Sequence, residues 1–345
     1  MVEKYIFSIF ISMTTLLKNI IFNHSHPSKL DIIGDVHGHA DELEALLTKL
    51  GYQYNGNYWH HQTFKAVFVG DFINRGPFNR KVIQIVRAMV ENKAGYAILG
   101  NHEINVISYF LKKKNGLPYR IPGPTNRKYM NKIKSEYINE EAQFKVDIKW
   151  LRTLPLFYDF KRVRIVHAYW NDQHIELIKG AISKGKLTRK LLKEISKGMS
   201  QFSKAILQTT RGVEYCFPPN MIVKDITKRR KVCFRVKWWV DPYNKTYEEL
   251  KYETKSHLPD IPIPYHLITP YEIYPSDAPP VFVGHYCMNQ GEMIPVPNIC
   301  CVDSCVANRG KLTAYRWQGE QQLSKSNLVS VNKIQRNKNM PISSK

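Results

Sequence analysis

The sequence predicts an α/β fold, in which short buried strands alternate with amphipathic helices. The first observation is a series of short apolar runs, at 30–33, 66–69 and 96–99. The second is that apolar residues at helical spacing follow each run, as in the stretch 43–50, where leucines recur at i, i+3, i+4 and i+7. The third is that this strand–loop–helix unit occurs three times within residues 30–110. Such a rhythm favours strands and helices in alternation over an all-helical or all-strand chain.

Later segments extend this pattern and suggest a domain organisation. Further strands are predicted at 163–166, 233–239, 281–283, 299–302 and 312–315, helices over 172–210, and a hairpin with long loops over 211–280. We expect an N-terminal extension at 1–28 and a domain at 29–317. We expect insertions in this domain at about 112–149 and 171–280, and a loose, polar and basic tail at 318–345.

The chain is strongly basic. Its 345 residues include 51 Lys and Arg against 29 Asp and Glu, a net charge of +22. One interpretation is diffuse attraction to polyanions, and the other is an anionic partner such as a phosphorylated protein, a nucleotide or RNA. The basic clusters do not alternate with aromatic residues, so no specific nucleic-acid binding is predicted. Oligomeric state is left open.

The N-terminus and the cysteines bear on location. The apolar stretch at 5–13 is too short to span a bilayer, and we expect that the protein is not exported. Met13 is an alternative start residue. Membrane association is therefore not expected. No two of the six cysteines have C-x-x-C spacing, which predicts reduced core thiols and a cytoplasmic location.

Polar residues follow five of the predicted strands. In open α/β sheets, ligands bind beyond the carboxyl ends of strands, so these residues are expected to form one site. The segments are Gly34-Asp35-Val36-His37-Gly38, Gly70-Asp71-Phe72-Ile73-Asn74-Arg75-Gly76, Gly100-Asn101-His102-Glu103, His167-Ala168 and Gly284-His285. Any one of them alone would most often be an ordinary loop, but five in order point to shared chemistry.

The residue types suit two divalent metal ions. Carboxylate, imidazole and amide oxygen ligands fit manganese, which we expect first, or iron, zinc or nickel. Asp35 and His37 can reach one ion, and Asp71 would bridge to a second. Asn101, His167 and His285 would complete the second site. Two ions about 3.5–4 Å apart can hold a phosphate and activate the water that attacks it.

The same ordered motifs resemble the calcineurin-like metallophosphoesterase superfamily. The Arg75-Gly76 pair and the segment 100–103 resemble its phosphoprotein phosphatase branch, which includes bacterial serine/threonine phosphatases and symmetrical diadenosine tetraphosphatases. The resemblance implies a four-layer fold, a β-sandwich of mixed sheets flanked by helices. It implies the same metal ligands, with His102 as the general acid for the leaving oxygen and Arg75 as a phosphate ligand.

One position departs from the family pattern. The second motif of the family is Gly-Asp-x-x-Asp-Arg-Gly, in which the second Asp orients and charges the catalytic His. Asn74 stands at that position here, so the departure concerns leaving-group protonation and leaves the metal ligands intact.

Three functions are compatible with these residues. The first is a metal-dependent phosphoric ester hydrolase that acts on phosphoproteins or small phosphomonoesters, with a phosphorylated substrate as its partner. The second is a dinucleoside polyphosphate hydrolase that uses the same metals. The third, motivated by Asn74, is a weakly catalytic phosphate-binding protein.

Overall fold

Two β-sheets form the centre of the molecule. The computed structural model describes residues 27–182, 185–224, 228, 230–252, 257–288, 292–308 and 310–335. Its strands, in chain order, are β1 (Leu30–Ile33), β2 (Gln53–Tyr54), β3 (Trp59–His60), β4 (Lys65–Phe68), β5 (Gly95–Ala97), β6 (Phe157–Asp159), β7 (Arg164–Val166), β8 (Glu214–Cys216), β9 (Val223–Lys224), β10 (Arg230–Lys231), β11 (Cys233–Arg235), β12 (Val281–Val283), β13 (Ile299–Cys301), β14 (Lys311–Trp317) and β15 (Leu328–Asn332).

The helices lie between these strands. They are α1 (Ala40–Lys49), α2 (Asn79–Glu91), α3 (Asn101–Phe110), α4 (Pro124–Ser135), α5 (Glu141–Leu151), α6 (Asp172–Ala181), α7 (Arg189–Lys197), α8 (Gln201–Arg211) and α9 (Tyr247–Leu250). The strand–loop–helix units predicted over 30–110 are confirmed as β1–α1, β4–α2 and β5–α3. None of the helices in the described ranges has the length and apolar character needed to cross a membrane.

The first sheet has the order β15–β14–β1–β4–β5, and the second has the order β13–β12–β7–β6. Strands β1, β4 and β5 are parallel, and so are β7, β12 and β13. Antiparallel strands β14 and β15 extend the first sheet, and β6 extends the second. Both sheets are therefore mixed, as the family resemblance implies.

Alternation along the strands separates two hydrophobic cores. Leu30 and Ile32 of β1 share the core between the sheets with residues such as Ile165, Phe282 and Trp317. Strand residues whose side chains point to the other face of the sheet, such as Ile33 and Phe68, belong to the larger core that includes the helices. Because a strand has a side-chain period of two, each central strand serves both cores. This arrangement is the predicted sandwich with flanking helices.

The two predicted insertions are built differently. Residues 112–149 contain the helices α4 and α5, and residues 171–280 contain helices α6 to α9 together with two small antiparallel pairs of strands, β8–β11 and β9–β10. The strand predicted over 233–239 ends at Arg235, because Val236 already bridges to Lys251 and the chain turns after it. The proposed domain boundaries stay a prediction.

The loose tail predicted from residue 318 is wrong over its described part. Strand β15 pairs antiparallel with β14 along five residue pairs, from Lys311 opposite Asn332 to Tyr315 opposite Leu328. The basic composition of the segment concealed a short edge strand, Leu-Val-Ser-Val-Asn, in which apolar residues alternate with Ser. Residues 336–345 of the tail and residues 1–26 of the extension lie outside the described ranges.

The prediction of six reduced thiols is also wrong. Disulfides join Cys216 to Cys233, and Cys287 to Cys305. The first links strands β8 and β11, where the two cysteines are directly opposite each other. Only Cys300 and Cys301 are free and buried among the described residues, as expected for core thiols. Sequence spacing could not reveal these pairs, because the partners are 17 and 18 residues apart and are brought together by strand pairing, antiparallel for β8 and β11 and parallel for β12 and β13.

Candidate metal centre

The polar residues predicted to form one site do converge. They follow β1, β4 and β5 in the first sheet and β7 and β12 in the second, all at one edge of the sandwich. Most of them are buried, with Asp35, Asp71 and His167 between 0% and 2% exposed, whereas Asn101 and His285 are partly exposed. Polar groups are rarely buried in this number without partners or ions to satisfy them.

Two groups of ligand atoms occupy this edge. The side chains of His37, Asp71 and His102 place one ligand atom each within 4.8 Å of one another, and so do those of Asp71, His167 and His285. Asp71 belongs to both groups, and its Oδ2 lies 3.3 Å from His167 Nε2. This is the position expected of a carboxylate that bridges two ions.

Asp35 and Asn101 stand beside these groups. Asp35 Oδ2 lies 3.8 Å from His37 Nε2, and its carboxylate also accepts a hydrogen bond from the backbone N–H of His285. Asn101 Oδ1 lies 3.0 Å from His285 Nδ1 and 3.3 Å from His167 Nε2. Every metal ligand predicted from the sequence is therefore in contact with another one.

Backbone carbonyls fix the orientation of two histidines. His37 Nδ1 lies 3.0 Å from the carbonyl oxygen of Ile73, and His167 Nδ1 lies 2.7 Å from that of Val69. A carbonyl only accepts, so each Nδ1 carries the proton and each Nε2 keeps a lone pair for a metal. His285 Nε2 is buried without a hydrogen-bond partner in the described structure. These imidazole nitrogens are suitable ligand atoms for divalent cations.

Four buried carboxyl groups give the centre an excess of acid. Burial and the neighbouring Asp303 and Asp71 raise the pKa of Asp35 well above its usual value. Burial and Asp71 raise the pKa of Glu103 to about 8. Burial opposes ionisation of Asp71 too, but His167 and His102 hold its pKa well below the usual value. Bound cations would offset this repulsion, which is a second reason to place metal here.

The backbone that carries these residues is strained. His37, Asp71 and His285 have positive φ angles of 47°, 49° and 70°. Non-glycine residues adopt this conformation rarely, and such residues cluster at functional sites. Glycine is required beside them: a Cβ on Gly284 would overlap Asp35 Oδ1, and one on Gly100 would overlap Asp71 Oδ1. Tight turns at the strand ends thus bring ligands from different strands together.

His102 has a buried contact with Asn74. Asn74 Nδ2 lies 2.9 Å from His102 Nδ1, and Asn74 Oδ1 is buried without a partner in the described structure. Amide nitrogen and oxygen are exchanged by a simple flip, in which case Oδ1 would accept from an Nδ1–H. Burial, together with Arg75 and His167, lowers the pKa of His102 to about 4 despite the opposing effect of Asp71. A pKa of about 4 makes this imidazole neutral near pH 7, and Asn74 supplies no negative charge that would oppose this.

Arg75 is the exposed member of the set. It follows Asn74 with a φ of 67°, and its charge acts on Asp35, His37 and His102. Its side chain is open to solvent, so it is free to contact a phosphate oxygen. The structure thus brings together all the predicted site residues.

Sequence reasoning missed the roles of two residues, Glu103 and Arg211. Glu103 appeared to be an ordinary first-turn residue, but its carboxylate accepts from the backbone N–H groups of Gly100 (2.8 Å) and Asp71 (2.7 Å) and so holds two motif loops together. Arg211 ends α8 and interacts electrostatically with Asp71 and His102. The Arg211-Gly212 pair repeats Arg75-Gly76, a signal that the sequence did offer.

Comparisons with known proteins agree with this geometry. The family model described as calcineurin-like phosphoesterase matches residues 28–224, more than half of the chain. Bis(5'-nucleosyl)-tetraphosphatase PrpE [asymmetrical] from Oceanobacillus iheyensis is 38% identical over 146 residues, which cover 41% of this chain and 55% of that protein. The protein of the same name from Halalkalibacterium halodurans is 36% identical over 140 residues, 40% of this chain and 55% of that one.

The chain thus spans about half the length of the curated relatives it matches. The names of these relatives specify the asymmetrical type, whereas the family resemblance pointed to serine/threonine phosphatases or the symmetrical type. A solved protein serine/threonine phosphatase from Saccharomyces cerevisiae shares the fold. It has a TM-score of 0.50 and 14% identity, over 97% of this chain and 91% of that chain.

Proposed function

Because the chain belongs to the calcineurin-like phosphoesterase family, we propose that it hydrolyses phosphate esters with a water activated by two divalent metal ions. Members of this family bind two such ions, and the described residues include two groups of candidate ligands. The observation that carries the proposal is the position of Asp71, whose carboxylate belongs to both groups. One shared carboxylate is what a two-metal site requires.

Asp35, His37 and Asp71 would hold one ion, and Asp71, Asn101, His167 and His285 the other. Bound there, the ions would lower the pKa of a water and offset charge on the phosphate. His37 and His167 are oriented for this role by carbonyl groups. Manganese is the ion we propose first, because the ligand set lacks thiolate and is rich in oxygen and imidazole. Iron, zinc and nickel suit the same set.

Three further side chains would act on the substrate. Arg75 would hold phosphate oxygens from the exposed side of the site. His102 would protonate the leaving oxygen, and Asn74 would orient His102 through their 2.9 Å contact. His102 also belongs to the first ligand group, so its Nε2 faces either the leaving group or an ion. Metal analysis of a His102 variant separates these two roles.

The substrate we propose is a phosphomonoester, either a phosphoprotein or a small molecule. A dinucleoside polyphosphate is the second candidate, and it is favoured by the names of the PrpE relatives. Both substrates place a phosphate group between the metals and Arg75, so the metal centre alone does not separate them.

A cytoplasmic location is also part of the proposal, because phosphoproteins and nucleotides, the proposed substrates, are abundant inside cells. The two disulfides remove the argument from cysteine, since disulfides persist mainly in oxidising compartments. Thiol trapping of the protein inside cells tests the location directly. If the four cysteines of the two disulfides react with the trapping reagent only after reduction, the protein is not in a reducing compartment.

The test is hydrolysis by purified protein supplied with Mn²⁺, against an aryl phosphate, a phosphoserine peptide, AMP and diadenosine tetraphosphate. We expect metal-dependent release of product from at least one of them. Asp71→Asn should abolish activity, because both ions lose a charged ligand. Asp260→Asn, which changes an exposed carboxylate, is the matched control and should leave activity intact. Wild-type protein that is inert on all four substrates with metal bound would overturn the proposal.

A further inference from the structure

A cluster of arginines lies next to the metal centre and belongs to neither ligand group. Asn105 Oδ1 is 3.3 Å from Arg120 Nη1 and 3.5 Å from Arg211 Nη2. Asn105 follows Asn101 by four residues on α3, so both side chains lie on one face of the helix, about 6 Å apart along its axis. Asn101 contacts the ligand histidines, and the arginines therefore stand one helical turn from the metal centre.

Arg235 completes the cluster from the other side. It lies on β11, where its Nε donates to the carbonyl oxygen of Arg211 at 3.0 Å. A Cβ on Gly212, the neighbour of Arg211, would overlap the hydroxyl group of Tyr286, which follows His285 in the chain. The segment that Arg235 contacts therefore packs against the loop that carries a candidate metal ligand. The three guanidinium groups come from separate parts of the chain, because Arg120 belongs to the first insertion and the other two to the second.

The cluster has too little negative charge of its own. Glu214, which lies 3.5 Å from Arg235 and is exposed, is its one acidic neighbour outside the metal centre among the ion pairs of the described residues. Burial lowers the pKa of Arg211, and the charges of Arg120 and Arg235 lower it further, whereas Glu214 raises it. Like charges held together are unfavourable unless an anion lies among them. Arginine is also the side chain that binds phosphate in bidentate geometry.

We propose that Arg120 and Arg235, on either side of Arg211, form a second anion subsite that binds a phosphate adjoining the scissile one. This rests on the proposed function, which places the scissile phosphate at the metals and Arg75. The subsite favours the second substrate candidate, a nucleotide carrying a polyphosphate chain, over the phosphomonoester. A monophosphate would reach the metals and leave the subsite empty. The subsite also gives the two insertions a role, since neither alone supplies both arginines.

The test compares two substrates in the Mn²⁺-loaded enzyme. We expect Arg120→Gln and Arg235→Gln each to lower kcat/KM for diadenosine tetraphosphate by about tenfold or more, the usual worth of a charge-assisted hydrogen bond. Most of the loss should fall on KM. For an aryl phosphate, which has a single phosphate, kcat/KM should stay within about twofold. Arg127→Gln, an exposed arginine in the first insertion, is the matched control and should change neither substrate.

Thermal unfolding and metal content of each variant show whether it is folded. Arg235→Lys keeps the positive charge but loses the bidentate geometry of the guanidinium group. Its KM for diadenosine tetraphosphate should therefore lie between those of wild type and Arg235→Gln. Equal losses on both substrates, or no loss on the tetraphosphate, would overturn the subsite. A wild-type enzyme that cleaves the aryl phosphate but not diadenosine tetraphosphate would also overturn the subsite. The same holds for variants whose kcat/KM falls only for a phosphopeptide. An enzyme inert on every substrate would instead refute the proposed function.

Discussion

At the scale of single residues, the contacts of His102 support its proposed role as the proton donor. Its ring is buried beside Asp71, with Nε2 3.9 Å from Asp71 Oδ2, and its backbone N–H donates to the same carboxylate. The side chain is therefore fixed with respect to the carboxylate that links the two ligand groups. A fixed imidazole at this distance can reach a leaving oxygen on a phosphate held by the metals.

His102→Ala should lower kcat by roughly 10²–10⁴-fold, the usual worth of a positioned general acid. The loss should be smaller for an aryl phosphate than for an alkyl phosphate, because an aryl leaving group needs less protonation. Steady-state kinetics on the two substrates, with metal content measured in parallel, give the answer. His266→Ala, at an exposed histidine, is the control. Equal losses on both esters would exclude the acid role, and loss of an ion would make His102 a ligand.

Asn74→Asp addresses the departure from the family motif. A carboxylate at 2.9 Å from His102 Nδ1 would accept an Nδ1–H and raise the pKa of His102 from its present depressed value of about 4. A donor acid works below its own pKa, so activity would persist to higher pH before it falls. We expect a higher kcat on alkyl phosphates and a basic limb of the pH–rate profile that moves upward.

Asn57→Asp, in the exposed turn between β2 and β3, makes the same chemical change away from the site and should have no effect. If kcat of Asn74→Asp is flat or lower on every substrate, the missing negative charge is not what limits this enzyme. The substrate would then have a leaving group that departs without protonation, as a nucleoside polyphosphate does.

At the scale of elements, strand ends and tight turns do the positioning. The sequence located β1, β4, β7 and β12 closely, because each is a short apolar run followed by Gly or His. The residues predicted as metal ligands follow those runs directly and lie together in the structure, where His102 joins one of the candidate ligand groups. It could not identify Glu103 as a support of the Asp71 loop, or Arg120 and Arg235 as members of one cluster, since the contacts that position them join residues 15 to 32 positions apart in the chain.

Gly284→Ala tests how tightly the turn after β12 is packed. The added Cβ would overlap Asp35 Oδ1 and press on Val69, so Asp35 would be displaced from His37. We expect the free energy of unfolding to fall by about 1–3 kcal/mol, the usual cost of overpacking, and metal affinity to fall with it. Chemical denaturation and metal titration measure both quantities. Gly180→Ala, in α6 with open space around it, should be neutral or stabilising by up to about 1 kcal/mol.

At the scale of the whole molecule, the sandwich was predicted by the family resemblance alone. Alternation of residues within the strands did not predict it. The apolar runs are too short to reveal that one face of β1 packs between the sheets and the other against helices. The edge strand β15 and the two disulfides depend on contacts between distant segments, which composition does not encode. The residues of the candidate metal centre could be selected from the sequence because Asp, His and Asn side chains after strand ends are typical metal ligands.

The measurement that tests the two-metal account most directly is metal stoichiometry together with activity before and after chelation. Asp71 belongs to both groups of candidate ligands, so we expect two ions per chain in the active protein. Activity should vanish when both are removed and return when Mn²⁺ is restored. Full activity in excess chelator, with no metal retained by the protein, would contradict the account.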